Sequence, residues 1–341
     1  MSRVAKAVKD RTLILHIGLH ETATSYLQNV LSTHRYDLLR EGILYPITGA
    51  VGNITSSTPK GAQSGHALLA RPGDRRKLVS ELLDEIPGTA STVLLSSEDY
   101  TLPRADAEQH IRRFGAFGSV QVVLVLRRQD VWVENYYKHI VHRYGKFETR
   151  SFDEFLVQVG PKLLDFLTRF SPWRDLVGPE SFHVLSYDDL PGGAAICRRV
   201  LEIAGVRGSL LDNFESIPVP SNESVRAIDT LGLRILNAYR LDDRDMWTGI
   251  AKSIYAAAPD GDIELMTREM RDGIQALCTP SNERIEAEWF NESVPGFRFG
   301  AALGDSAASP PTGPDVVDYV DWVISLCEEA RKSSDESGSA E

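Results

Sequence analysis

The segment Thr12–Gly18, TLILHIG, is apolar at nearly every position and alternates on neither face. So short a run, apolar on both sides, predicts a strand buried in a parallel sheet. It stops at Gly18. From Ser25 to Arg40 apolar residues return at Tyr26, Leu27, Val30, Leu31, Leu38 and Leu39, the spacing of a helix. A strand, a tight turn and a helix in succession allow few folds, because parallel strands need crossovers of this kind.

The pattern repeats along the chain. Thr92–Ser97 (TVLLSS), Val120–Leu126 (VQVVLVL) and Ser181–Leu190 (SFHVLSYDDL) predict three more strands. Helical patterns cover 75–85, 105–114, 130–144 and 194–204, and Ser151 with Glu154 spells a capping box at the start of another helix. Alternating strands and helices predict an α/β fold, a three-layer sandwich around a central parallel sheet. From Ser221 to about Phe290 the pattern is almost wholly helical, so the C-terminal half is read as helical and not as a second sheet. The expected organisation is a loose arm at 1–10, an α/β domain at 11–301 and a linker at 302–315. An acidic helix over Val316–Arg331 and a disordered tail would complete 316–341.

Composition narrows the function classes. The chain has 341 residues and a formal net charge of -11. Residues 302–341 hold nine acids against Arg331 and Lys332, so -7 of that charge sits in the last forty residues. Arg127–Arg150 carries six Lys and Arg against three acids. The balance argues against nucleic acid as a partner but leaves room for a local anion site. Cys197, Cys278 and Cys327 form no CxxC pair and suit a reduced, cytoplasmic setting. No apolar run approaches the length of a membrane span.

The turn after the first strand reads G-L-H-E-T-A-T-S from Gly18 to Ser25. N–H groups at a helix start lack partners one turn earlier, and the helix dipole adds to their attraction for an anion. Thr22, Thr24 and Ser25 supply hydroxyls, so the turn reads as a phosphate cradle or, more simply, as a Ser/Thr-rich N-cap. It is not a Walker A loop, whose second Gly and Lys would fall on Ala23 and Thr24. At the end of Val120–Leu126 stands Arg127, with Asn135 eight residues on. Neighbouring strand ends of a parallel sheet open on one edge, so Arg127 is expected to share a crevice with the turn. An arginine fork plus a side-chain donor suits a second phosphate.

Together these motifs resemble those of the PAPS-dependent sulfotransferases. HIGLHETATSYLQ, His16 to Gln28, is similar to the 5'-phosphosulfate loop of bacterial members, HIG-x-H-K-T-G-T-T-x-L-Q, and Arg127 with Asn135 resembles the 3'-phosphate motif. REGILYP, Gly65-His66, LLSSEDY, HVLSYDDL and SNERIEAEWF add weaker similarities in the expected order over about 12–290. The resemblance implies a P-loop-type fold and sulfuryl transfer from PAPS, leaving PAP, to a hydroxyl or amine of a carbohydrate or small-molecule acceptor, without a metal. His20, Glu21, Thr22, Ala23, Thr24, Ser25, Tyr26, Arg127 and Asn135 would bind the donor.

The chain departs from the family pattern at one chemically central place. The loop lysine that would bind the sulfonate falls on Glu21, and a loop glycine falls on Ala23. Two readings follow: a sulfotransferase in which Lys60, Lys138 or Arg128 replaces the lysine, or a catalytically impaired relative that binds a nucleotide or a partner. Two residues are candidates for the base that takes the acceptor's proton. Glu98 ends the Thr92–Ser97 strand on the phosphate edge. His66, in the glycine-rich loop after Pro46, titrates near neutrality and would reach in from above. Ser221–Ser224 (SNES) reads first as an N-cap and second as an acceptor contact.

Overall fold

Five strands form one parallel sheet, and the most apolar of them lie inside it. β1 (Thr12–Gly18) pairs with β3 (Thr92–Ser96) on one side and β4 (Ser119–Leu126) on the other. β2 (Ile43–Leu44) continues the sheet beyond β3, and β5 (Phe182–Ser186) beyond β4, giving the order β2-β3-β1-β4-β5. Four strands lie where the sequence predicts them. The two-residue β2, inside REGILYP, is too short for any periodicity to reveal. A computed structural model describes residues 8–51, 65–102, 106–190, 192–208, 211, 225–259, 263–290 and 314–338. Lys60, the SNES segment, most of the expected arm and the linker up to residue 313 lie outside these.

Contacts divide the chain into two units, one of Met1–Arg128, Asp165–Ser221 and Thr279–Phe299, the other of Gln129–Leu164, Asn222–Cys278 and Gly300–Glu341. The first holds the sheet. One sheet face is covered by α1 (Thr24–Thr33), α2 (Arg35–Arg40) and α9 (Gly192–Ile203), with Leu27, Val30, Leu31, Ile196 and Val200 packed on Ile14, Val123, Val125 and Leu185. Each aliphatic side chain buried there contributes roughly 1.5–3 kcal/mol. The predicted single helix 25–40 is two, broken at His34, whose φ of -100° and ψ of 20° leave the helical region. The opposite layer carries α5 (Ala107–Arg113) and α8 (Phe166–Val177), where Trp173 stacks on His110 at 5.8 Å. α3 (Ala67–Ala70) and α4 (Arg76–Glu85) complete the crossover from β2 to β3. The architecture is therefore the three-layer α/β sandwich that the sequence predicts.

The second unit is helical, built from α6 (Gln129–Val141), α7 (Phe152–Leu164), α10 (Ala227–Ala238) and α11 (Arg244–Ala257), the part of α12 (Arg268–Trp289) up to Cys278, and α13 (Pro314–Gly338). The capping box closes as spelled: the Ser151 N–H donates to Glu154 Oε2 at 2.8 Å and the Glu154 N–H to Ser151 Oγ at 3.3 Å. Buried Asn237 donates to the carbonyls of Val141 and Glu148 and accepts from Trp247 Nε1, so its polarity is fully used. The last helix runs to Gly338 and not to Arg331, because SSDES contains no helix breaker. Cys197, Cys278 and Cys327 are buried. No helix among the described residues is long and apolar enough to cross a membrane.

Candidate active site at the carboxyl edge of the sheet

At the carboxyl ends of β1, β3 and β4, the three adjacent central strands, the first unit gathers its polar groups. β1 ends in Gly18, at φ +102°, and Leu19 returns to the sheet by donating its N–H to Val125 O at 3.0 Å. The Leu19 carbonyl then anchors the turn, accepting from Thr22 Oγ1 at 2.7 Å and Thr24 Oγ1 at 3.0 Å. Both threonines are buried, so two of the three hydroxyls proposed for an anion instead brace the turn from within. What the turn offers an anion is backbone. Glu21 and Ala23 both sit at φ +60°, and turns with such left-handed residues fold successive N–H groups into a concavity of the kind that holds phosphate. α1 starts at Thr24 directly behind it.

A side chain at φ +60° is strained by roughly 1–2 kcal/mol. Glycine at position 23 removes that strain and returns about 0.4–1 kcal/mol through a freer unfolded chain. Ala23→Gly is therefore expected to stabilise the protein by up to about 1 kcal/mol, read as a small rise in Tm, and a fall in Tm would contradict the strain.

Arg127 closes the edge from β4. Its Nη1 donates to the Glu21 carbonyl at 3.1 Å, and its guanidinium lies over the Tyr187 ring at 4.6 Å. Its Nε is buried and has no hydrogen-bond partner, a donor left open beside the turn. Sequence reading had no signal for Tyr187 in this role, nor for Asp188, which accepts from the Arg128 N–H at 2.7 Å. Burial raises the Asp188 carboxyl above the usual carboxylate range. His20 is buried, Ser25 and Tyr26 are half-buried, and the Tyr26 ring lies against the Gly193 backbone. Asn135 belongs to the second unit, on α6, where its Nδ2 donates to Val131 O at 2.9 Å. Lys138 is paired with Glu134 at 2.9 Å and is no spare cation.

Glu98 follows β3 beside Gly18. A Cβ on Gly18 would lie 3.0 Å from Glu98 Cβ, so the glycine admits this side chain as well as the turn. The following 3₁₀ turn, Glu98–Thr101, is capped by Ser97 Oγ, which accepts from the Asp99 N–H, leaving the Glu98 carboxylate to accept from Gln28 Nε2 at 3.1 Å. His66 departs from the expectation of a loop histidine titrating near neutrality. It is fully buried, its Nε2 donates to Pro46 O at 2.9 Å and its Nδ1 accepts from the Ser96 N–H at 3.1 Å. Burial pushes its pKa down to about 4, so the ring is neutral and both nitrogens are committed. Its role is to tie the Pro46 strand exit to β3. Gln28, missed as a functional residue, had one signal: with Thr24, Leu27 and Leu31 it occupies the buried stripe of α1, where a polar side chain needs a partner.

No family model matches the chain. An uncharacterized protein of Archaeoglobus fulgidus is 25% identical over 203 residues, covering 58% of this chain. The chain thus spans about half of that relative, 54% of its length. A crystal structure of a sulfotransferase from Alicyclobacillus acidocaldarius is similar with a TM-score of 0.44 and 16% identity, covering 81% of this chain and 95% of that one. Among the described residues no group of three or more His, Cys, Asp and Glu side chains is placed to hold a metal ion.

Proposed function

We propose that the chain transfers a sulfuryl group from PAPS to a hydroxyl or amine of a carbohydrate or other small-molecule acceptor. What supports this reading most is the convergence on one sheet edge of a left-handed anion turn, an arginine with an open donor, and a carboxylate. In this reading the backbone of residues 20–26 and Ser25 hold the 5'-phosphate, and Arg127 contributes its guanidinium to the 3'-phosphate. Glu98 takes the proton of the attacking group. The bond from sulfur to the anhydride oxygen breaks as the bond to the acceptor oxygen or nitrogen forms, and PAP leaves with the electron pair. The residues suit both phosphates; Glu21 is the one that does not suit the sulfonate. The competing reading, an impaired relative that keeps nucleotide or partner binding, rests on that residue.

Calorimetry with adenosine 3',5'-bisphosphate tests the donor site. Wild type is expected to bind, and Arg127→Ala to bind roughly 10- to 150-fold more weakly, the equivalent of a charge-assisted hydrogen bond of about 1.5–3 kcal/mol. Absence of binding to wild type would overturn the donor assignment.

A further inference from the structure

Beneath Glu98 lies a buried polar cluster whose members come from three separate stretches of the first unit. Gln28, on the helix that begins at the anion turn, points its carboxamide at β3: Nε2 lies 3.1 Å from Glu98 Oε2 and 3.3 Å from Ser96 Oγ. A carboxylate only accepts, so the nitrogen must be the end that faces it, and its two N–H bonds serve both oxygens. Ser96 Oγ also shares a hydrogen bond with His16 Nδ1 at 2.8 Å. Full burial pushes the His16 pKa down to about 3 and keeps the ring neutral.

Two further contacts hold the carboxamide in place. His66 clamps the Ser96 backbone from both sides, donating its backbone N–H to Ser96 O at 2.7 Å and accepting from the Ser96 N–H at ring Nδ1. Gly65 lies directly over Gln28: a Cβ there would sit 2.6 Å from Nε2 and 2.9 Å from Cδ. The Gly65-His66 pair thus has a physical reason, one residue leaving room for the carboxamide and the next fixing the strand it reaches.

We infer that Gln28 is a positioning residue: anchored on Ser96 and confined by Gly65, it holds the Glu98 carboxylate at the mouth of the anion turn. The helix that carries the donor loop then also sets the direction of the base. The arrangement is not a proton relay, because a carboxamide donates to both neighbours and passes no proton between them. The consequence for turnover rests on the sulfuryl-transfer reading; the consequence for the Glu98 carboxylate does not.

The test separates the two. The titration of the Glu98 side chain is followed by carbon-13 NMR, with its signal assigned through Glu98→Gln, in wild type, Gln28→Met and Gln28→Glu. Adenosine 3',5'-bisphosphate affinity is measured on the same samples. Loss of a hydrogen bond to the charged form is expected to move the Glu98 midpoint up by about half to one pH unit in Gln28→Met. The near-isosteric Gln28→Glu, which adds a like charge, should move it further. Nucleotide affinity should stay within about twofold, and kcat should fall roughly tenfold with the acidic limb of its pH profile shifted the same way. A midpoint unmoved in both folded variants overturns the inference, as does nucleotide affinity falling in step with kcat. A shifted midpoint in a protein that transfers no sulfuryl group would leave Gln28 as the positioning residue and remove the proposed reaction instead.

Discussion

Glu98→Gln is expected to lower sulfuryl transfer about 10²- to 10⁴-fold while leaving adenosine 3',5'-bisphosphate affinity within about twofold, because a positioned general base is worth that much. Glutamine has the same shape, so it still fits against Gly18, and its Oε1 still accepts from Gln28 Nε2. The cost through this contact should therefore stay near that of one neutral hydrogen bond, about 1 kcal/mol or less. His66→Ala provides the contrast. It removes a fully buried ring together with the bonds to Pro46 and Ser96, so it should lower Tm markedly and reduce activity only as the fold loosens. A sulfuryl-transfer assay paired with a thermal melt distinguishes the two. Full activity in Glu98→Gln, or lost nucleotide affinity, would remove Glu98 from the role of base.

The fold was legible because burial on both faces leaves its mark on short runs. TLILHIG and VQVVLVL are central strands and read as such; Ile43–Leu44 is an edge strand of two residues and leaves no such mark. Thr24 and Thr22 show the limit on the site. Their hydroxyls could be read as ligand donors, yet they turn inward to one carbonyl, since a tight turn has polar groups of its own to satisfy. Arg127 was legible as a strand-end residue, but its footing on Tyr187 and on the Glu21 carbonyl depends on tertiary contacts that no spacing reveals. His66 misled for the same reason: a sequence shows a histidine in a glycine-rich loop, and only the packed chain shows that both ring nitrogens are spent.

Glu21→Lys is the substitution expected to change donor binding most. Position 21 is left-handed, at φ +60°, and costs a lysine about what it costs a glutamate, so the exchange adds no backbone strain. At an effective dielectric of about 20, two like charges about 4 Å apart repel by roughly 4 kcal/mol, and a lysine turns that repulsion into attraction. Solvent screening at this half-exposed position removes much of the difference, yet a roughly 10- to 100-fold gain in PAPS affinity should remain. Adenosine 3',5'-bisphosphate, which lacks the sulfonate, should gain less. The gain should shrink as salt rises, which marks it as electrostatic. Transfer measurable in wild type and faster in Glu21→Lys would support the enzyme reading. Transfer that appears in the variant alone would assign wild type to the impaired, nucleotide-binding alternative. Unchanged affinity and rate in both would mean that the Glu21 carboxylate faces away from the donor, and that the charge reversal in the loop has no bearing on the chemistry.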